Sequence, residues 1–157
     1  MHQPIARTVL ALLVSLAGAP PASAQSPEHD AAYAVVTKLF DAMRARDTSA
    51  MRAAFVPNAS LQSLEEDGVR FDPIDAWIGG IGRARPGLLL DERLANPIVH
   101  VDGNLASVWV DYWFFAGERL SHCGVDAVLL TKQGGAWKIF SVVDTRRTQG
   151  CPAAPAR

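Results

Sequence analysis

Asp111, His122, Asp126 and Asp144 interrupt stretches that otherwise alternate between apolar and small residues. An unpartnered polar group removed from water costs about 1–3 kcal/mol, and a charge costs more, so these four must pair, meet solvent or line a cavity. Asp111 lies between Trp109 and Trp113, and period-two alternation puts all three on one strand face. Desolvation by two indoles would raise the pKa of that carboxylate and suit it to general-base work. The plainer account pairs Asp111 with an arginine or a backbone N–H. His122 is the natural acid–base group, and Asp126 shares its face four residues on. A two- or three-residue turn at Ala116-Gly117-Glu118 would set His122 across from Trp113 or Tyr112, and so decides whether Asp111 joins it.

Asp144 shares a face with Phe140, Val142 and Arg146. A three-residue turn at Gln133-Gly134-Gly135 would put Gly124 opposite Asp144 and His122 opposite Arg146, leaving room above Gly124 for Asp144 to approach His122. An Asp144–Arg146 or Glu92–Arg146 salt bridge accounts for the same residues structurally. Metal chemistry finds no support: His100, His122, Asp111 and Asp126 are suitable types without His-Glu-x-x-His or His-x-His spacing. No nucleophile elbow, phosphate loop or dinucleotide fingerprint occurs, so neither a metal nor a cofactor is expected.

These side chains need a sheet to carry them. Leu105–Phe115, Ser121–Thr131 and Ala136–Asp144 read as three antiparallel strands joined by tight turns. Upstream, Ser26-Pro27 starts a helix over residues 27–46, with Ala32, Val35, Val36, Leu39, Phe40 and Met43 on one side. Asp47-Thr48-Ser49 caps a short second helix carrying Met51, Ala54 and Phe55, ended by Pro57. Residues 59–64 and 69–71 flank a hairpin turn at Glu65-Glu66-Asp67-Gly68. Asp72-Pro73 opens a short, glycine-weakened third helix with Ile74, Trp77, Ile78 and Ile81. Residues 88–101 are extended, and Pro97 requires an edge or a bulge there. Helices gathered early and strands late argue an α+β fold with helices on one face of a curved sheet.

The N-terminus reads as an export signal. Arg7, the apolar run Val9–Ala17 and Ala22-Ser23-Ala24 predict cleavage after Ala24. Residues 25–157 then form a single domain, with its core over about 27–147 and a tail at 148–157. The apolar run is too short for a stable membrane anchor. With 15 basic against 16 acidic residues, the chain has no electrostatic basis for nucleic-acid binding. Cys123 and Cys151 are the only cysteines, and in an oxidising compartment such a pair is expected to bridge. A loop of about 30 residues closed this way is worth roughly 3.5 kcal/mol in chain entropy. His122 and Cys123 are strand neighbours pointing to opposite faces, which excludes a thiol–imidazole dyad.

The order of elements, the Leu105–Phe115 strand and Gly135-Ala136-Trp137-Lys138-Ile139 resemble the nuclear transport factor 2-like superfamily. Ala106-Ser107-Val108-Trp109, His122-Cys123-Gly124-Val125-Asp126 and Asp144-Thr145-Arg146-Arg147 further resemble its bacterial exported, putative lumazine-binding-type members. The resemblance implies a cone-shaped, curved antiparallel sheet wrapped around N-terminal helices, a pocket at the open end and dimers through the sheet. It does not imply one activity. The expected pocket lining is Trp77, Ile81, Trp109, Tyr112 and Trp113, with polar groups among Asp111, His122, Asp126 and Asp144. Binding of a small apolar or aromatic molecule without turnover is the first expectation. A cofactor-independent isomerase, dehydratase or hydrolase using Asp111, or His122 with an aspartate, is the second. A non-catalytic dimeric interaction module is the third.

Overall fold

The computed structural model describes residues 26–156, so the expected signal peptide lies outside the described residues. The Ser26 side chain accepts from the backbone N–H of His29 and opens α1 (Pro27–Ala45), which ends where Arg46 turns left-handed at φ 57°. Asp47 caps α2 (Thr48–Ala53) through the Ala50 N–H at 2.9 Å. The helix does not reach Phe55, as its spacing had suggested. Phe55 instead begins β1 (Phe55–Glu65), because the Ile139 N–H donates to the Ala54 carbonyl and draws the chain into the sheet. β2 (Gly68–Pro73) returns after Glu66-Asp67, and α3 (Ile74–Gly82) follows without a side-chain cap. Asp72 thus stays in β2, opposite Leu61.

β3 (Leu90–Asp102), β4 (Leu105–Ala116), β5 (Arg119–Gln133) and β6 (Ala136–Thr145) complete a six-stranded sheet in the order β2-β1-β6-β5-β4-β3. Only β1 and β6 run parallel. The sheet is curved but unclosed, with β2 and β3 at its edges. Pro97 sits at a register shift on edge strand β3, where its missing N–H breaks no ladder.

α1 packs against β3, β4 and β6. Val36, Leu39 and Met43 meet Val108, Val110, Val128, Leu130 and Ile139 in one buried cluster. Trp137 is buried, and its indole N–H donates to Glu28 in the first turn of α1 at 3.1 Å. Cys123 and Cys151 form a disulfide with Cα atoms 5.9 Å apart. Beyond it the tail is held by Trp113 Nε1 donating to the Pro152 carbonyl (2.8 Å) and Arg93 donating to that of Pro155 (3.1 Å). Among the described residues no helix is long and apolar enough to cross a membrane.

Candidate functional site

Two extra residues decide which polar side chains meet. The β4–β5 turn is tight, pairing Ala116 with Arg119, but the register then slips and His122 faces Phe114 rather than Trp113 or Tyr112. Ser121 is the residue left over. The β5–β6 turn holds only Gly134 and Gly135, and Phe140 is left over between the pairs Leu129–Ser141 and Leu130–Ile139. Asp126 consequently stands opposite Asp144, and Gly124 does not. Directly paired residues share a face, so Val110, Tyr112, Phe114, His122, Gly124, Asp126 and Asp144 all point to the inner, helix-covered side.

Tyr112 crosses Gly124 to reach the next strand but one. A Cβ at Gly124 would overlap the Thr145 carbonyl oxygen and lie 2.8 Å from Tyr112 Cε1, so only glycine allows this approach. The room expected above Gly124 is therefore filled. The Tyr112 hydroxyl lies within donating distance of Asp144 Oδ2 (3.1 Å) and the Thr145 carbonyl (2.9 Å). Burial, followed by the Asp144, Glu92 and Asp126 charges, raises the Tyr112 pKa and keeps the phenol protonated. Asp144 also accepts from Ser63 Oγ at 2.5 Å and from Arg146 Nη2 at 3.3 Å. Arg70, at the rim, donates to Ser63 and pairs with Glu65 and Asp72.

Asp126 is treated differently from its neighbour. It is 3% exposed, it shares a hydrogen bond with the Glu92 carboxyl, and no other donor reaches its Oδ2 among the described residues. Arg146 Nε is the other buried polar atom left unpaired among the described residues. Burial and then the Asp144 charge lift the Asp126 pKa to about 7. Its neighbour Glu92 is also buried, and desolvation followed by the Asp126 charge holds that carboxyl well above its ordinary range. The pair keeps a proton that isolated carboxylates would have lost.

His122 makes no carboxylate hydrogen bond in this arrangement. Its Nδ1 lies 3.1 Å from Ser121 Oγ, and its ring packs against Tyr112 (5.7 Å) and Phe114 (5.0 Å). Burial and then Arg146 push its pKa down to about 4, outweighing the opposing pull of Asp144. The imidazole is neutral at neutral pH, and the approach of Asp144 that the expected turn allowed does not become a hydrogen bond to it.

These groups form the polar end of a cavity of about 260 Å³ whose other walls are Leu39, Phe40 and Met43 of α1, Ile74, Trp77 and Ile81 of α3, and Phe55 and Leu61 of β1. Trp77 meets Phe55 edge to face at 6.3 Å. Trp77, Tyr112, His122, Asp126 and Asp144 are brought together here. Asp111, Trp109 and Trp113 are not, because odd positions of β4 point to the outer face. Asp111 accepts from Asn96 Nδ2 at 2.9 Å, Trp109 is largely exposed, and Trp113 lies beneath the C-terminal tail. Glu92, given above only as an arginine's partner, is a cavity residue. Its alternation with Leu90 and Leu94 was the signal that could have found it. Among the described residues no group of three His, Cys, Asp or Glu side chains is arranged to hold a metal ion.

Known structures share this architecture. A nuclear transport factor 2-like protein of unknown function from Shewanella baltica OS155 is 20% identical, with a TM-score of 0.64 over 80% of this chain and 98% of its own. One from Silicibacter pomeroyi DSS-3 is 26% identical, with a TM-score of 0.61 over 76% of this chain and 97% of its own. A Streptomyces avermitilis protein described as a putative dehydratase from the same family is 13% identical, with a TM-score of 0.61 over 76% of this chain and 96% of its own. No curated protein sequence matches the chain. Residues 27–143, spanning both helical walls and nearly the whole sheet, match the family described as putative lumazine-binding, and the chain belongs to that family of nuclear transport factor 2-like proteins.

Proposed function

We propose that this protein binds a small, largely apolar or aromatic molecule in the cavity between α1, α3 and the sheet, after export to an oxidising compartment. The observation that carries the reading is a preformed cavity with aliphatic and aromatic walls and one polar end. The Cys123–Cys151 disulfide supports an oxidising environment. Mass spectrometry of small molecules released from the folded, oxidised protein tests it, with Ile81→Trp as a cavity-filling control. A low-mass compound enriched in the wild type is expected. Identical small-molecule profiles from the two proteins would refute the reading.

A catalytic reading has its own support. Asp126 lies in the cavity with a pKa of about 7, the range in which a carboxyl exchanges protons efficiently near neutrality. A cofactor-independent isomerase, dehydratase or hydrolase would use Asp126 as its proton-transfer group, with the Tyr112 hydroxyl and Arg146 facing developing negative charge. Asp126→Asn would then abolish turnover of a bound substrate; unchanged turnover would exclude this role. Self-association is supported by Ile98 (54% exposed) and Trp109 (53%) on the outer sheet face. Trp109→Glu would convert such a dimer to monomer in sedimentation.

A further inference from the structure

The charged groups around the cavity do not balance. Arg146 is matched to Asp144, and Arg70 to Asp72 and Glu65. His122 is neutral, while α1 and α3 contribute only apolar side chains to the cavity wall. β1 adds the uncharged Ser63 beside Asp144, and β4 the protonated Tyr112. Among the described residues the Glu92 and Asp126 carboxyls remain without an ion pair, and Arg146, already paired with Asp144, acts on them only as a charge at longer range. Asp126 supplies the second, independent observation: it is almost wholly buried, lines the cavity, and beyond its carboxyl–carboxyl hydrogen bond with Glu92 has an oxygen that no other donor reaches among the described residues.

A buried carboxylate without a counter-charge is costly, and a proton is the cheapest substitute for one. An organic cation would serve better, because it brings the missing charge and N–H donors together. Planar cations carrying two N–H groups on one edge, such as amidines, guanidines and aminated heteroaromatics, match a carboxylate bidentately. The walls suit the rest of such a molecule, since Phe40, Phe55 and Trp77 offer aromatic surface to a flat, cationic ring system.

We propose that the cavity is selective for planar organic cations, which insert their N–H edge at Asp126 and Glu92 in exchange for a proton. This rests on the cavity being a binding site, as proposed above. The ligand enters already protonated. Its N–H groups donate to the carboxyl oxygens, and the proton shared by Glu92 and Asp126 leaves to solvent. No bond other than O–H breaks, and the charge inside the cavity is the same before and after. Binding must therefore strengthen as pH rises, until the pair is ionised without help, and it must release a proton measurable in calorimetry.

Three probes of one shape test this: 2-naphthamidine (cationic), 2-naphthamide (neutral) and 2-naphthoate (anionic), titrated calorimetrically into the full oxidised protein. At pH 8 the amidine should bind at least tenfold more tightly than the amide, and the naphthoate weakest. At pH 5 the preference should shrink severalfold, with proton release visible as a dependence of heat on buffer ionisation enthalpy. Asp126→Asn should remove the cation preference and Glu92→Gln should weaken it, giving a second variant should one fold poorly. Amide or naphthoate binding as tightly as amidine would overturn the cation assignment and leave the binding function standing. Binding of none of the three would overturn both.

Discussion

The inner face of the sheet is built in two ways along the same strands. Toward one end, Val108, Val128, Leu130 and Ile139 join α1 residues in one buried apolar cluster. Toward the other, β4, β5 and β6 continue as Tyr112, His122, Asp126 and Asp144 around an open cavity. The first end supplies burial, at about 25 cal/mol per Å² of apolar surface. The second spends part of that stability on an unpaired carboxyl oxygen and an unpaired guanidinium nitrogen. Such groups persist only where the surrounding structure over-determines them, so the dry end permits the polar one.

If the division holds, the largest effect belongs to the dry end. Trp137→Ala removes a buried indole and its bond to Glu28, and should cost about 3–5 kcal/mol in denaturant unfolding. An unchanged midpoint would show that α1 is not seated there. At the junction of the two ends, Gly124→Ala forces a methyl into the Thr145 carbonyl and the Tyr112 ring. A loss of about 1–3 kcal/mol is expected, with weakened ligand binding, because Tyr112 must withdraw from Asp144. Wild-type stability and affinity in that variant would mean that Tyr112 does not tie β4 to β6.

The polar end should announce itself through pH. Asp126 rises from 3.8 unfolded to about 7 folded, so its contribution is full below 3.8 and is lost as pH climbs through 7. Glu92 acts in the same direction. Asp126→Asn should therefore lessen the fall in stability between pH 5 and 8, by about 1–3 kcal/mol at the alkaline end. The smallest effect is that of His122, whose pKa drops from 6.5 to about 4. The unfolded chain takes up its proton first, so this contribution is full above 6.5 and is lost as pH falls toward 4. Its ring is only half buried, which limits the effect to under about 1 kcal/mol. His122→Gln should steepen the decline that Asp126→Asn lessens, and thermal melts from pH 4 to 8 read both. Changes of slope in the same direction from wild type in the two variants would refute the assigned protonation states.

Local chemistry is written in the sequence. Helix spacing and a serine cap mark α1, apolar alternation marks β4 to β6, and the two lone cysteines mark their bridge. Each depends on neighbours a few residues away, or on simple counting. Period-two alternation also separates Asp111 from Tyr112 with certainty, but it cannot say which face the helices will cover. That choice moved Trp109, Asp111 and Trp113 to the outside and brought Glu92 into the cavity. Register was beyond local reading as well. Single extra residues at Ser121 and Phe140 shift whole strands, and their positions answer to packing between distant segments rather than to turn composition. The meeting of Asp126 with Asp144, and the neutral state of His122, follow from those two bulges and from burial, which exist only once the sheet has closed over α1.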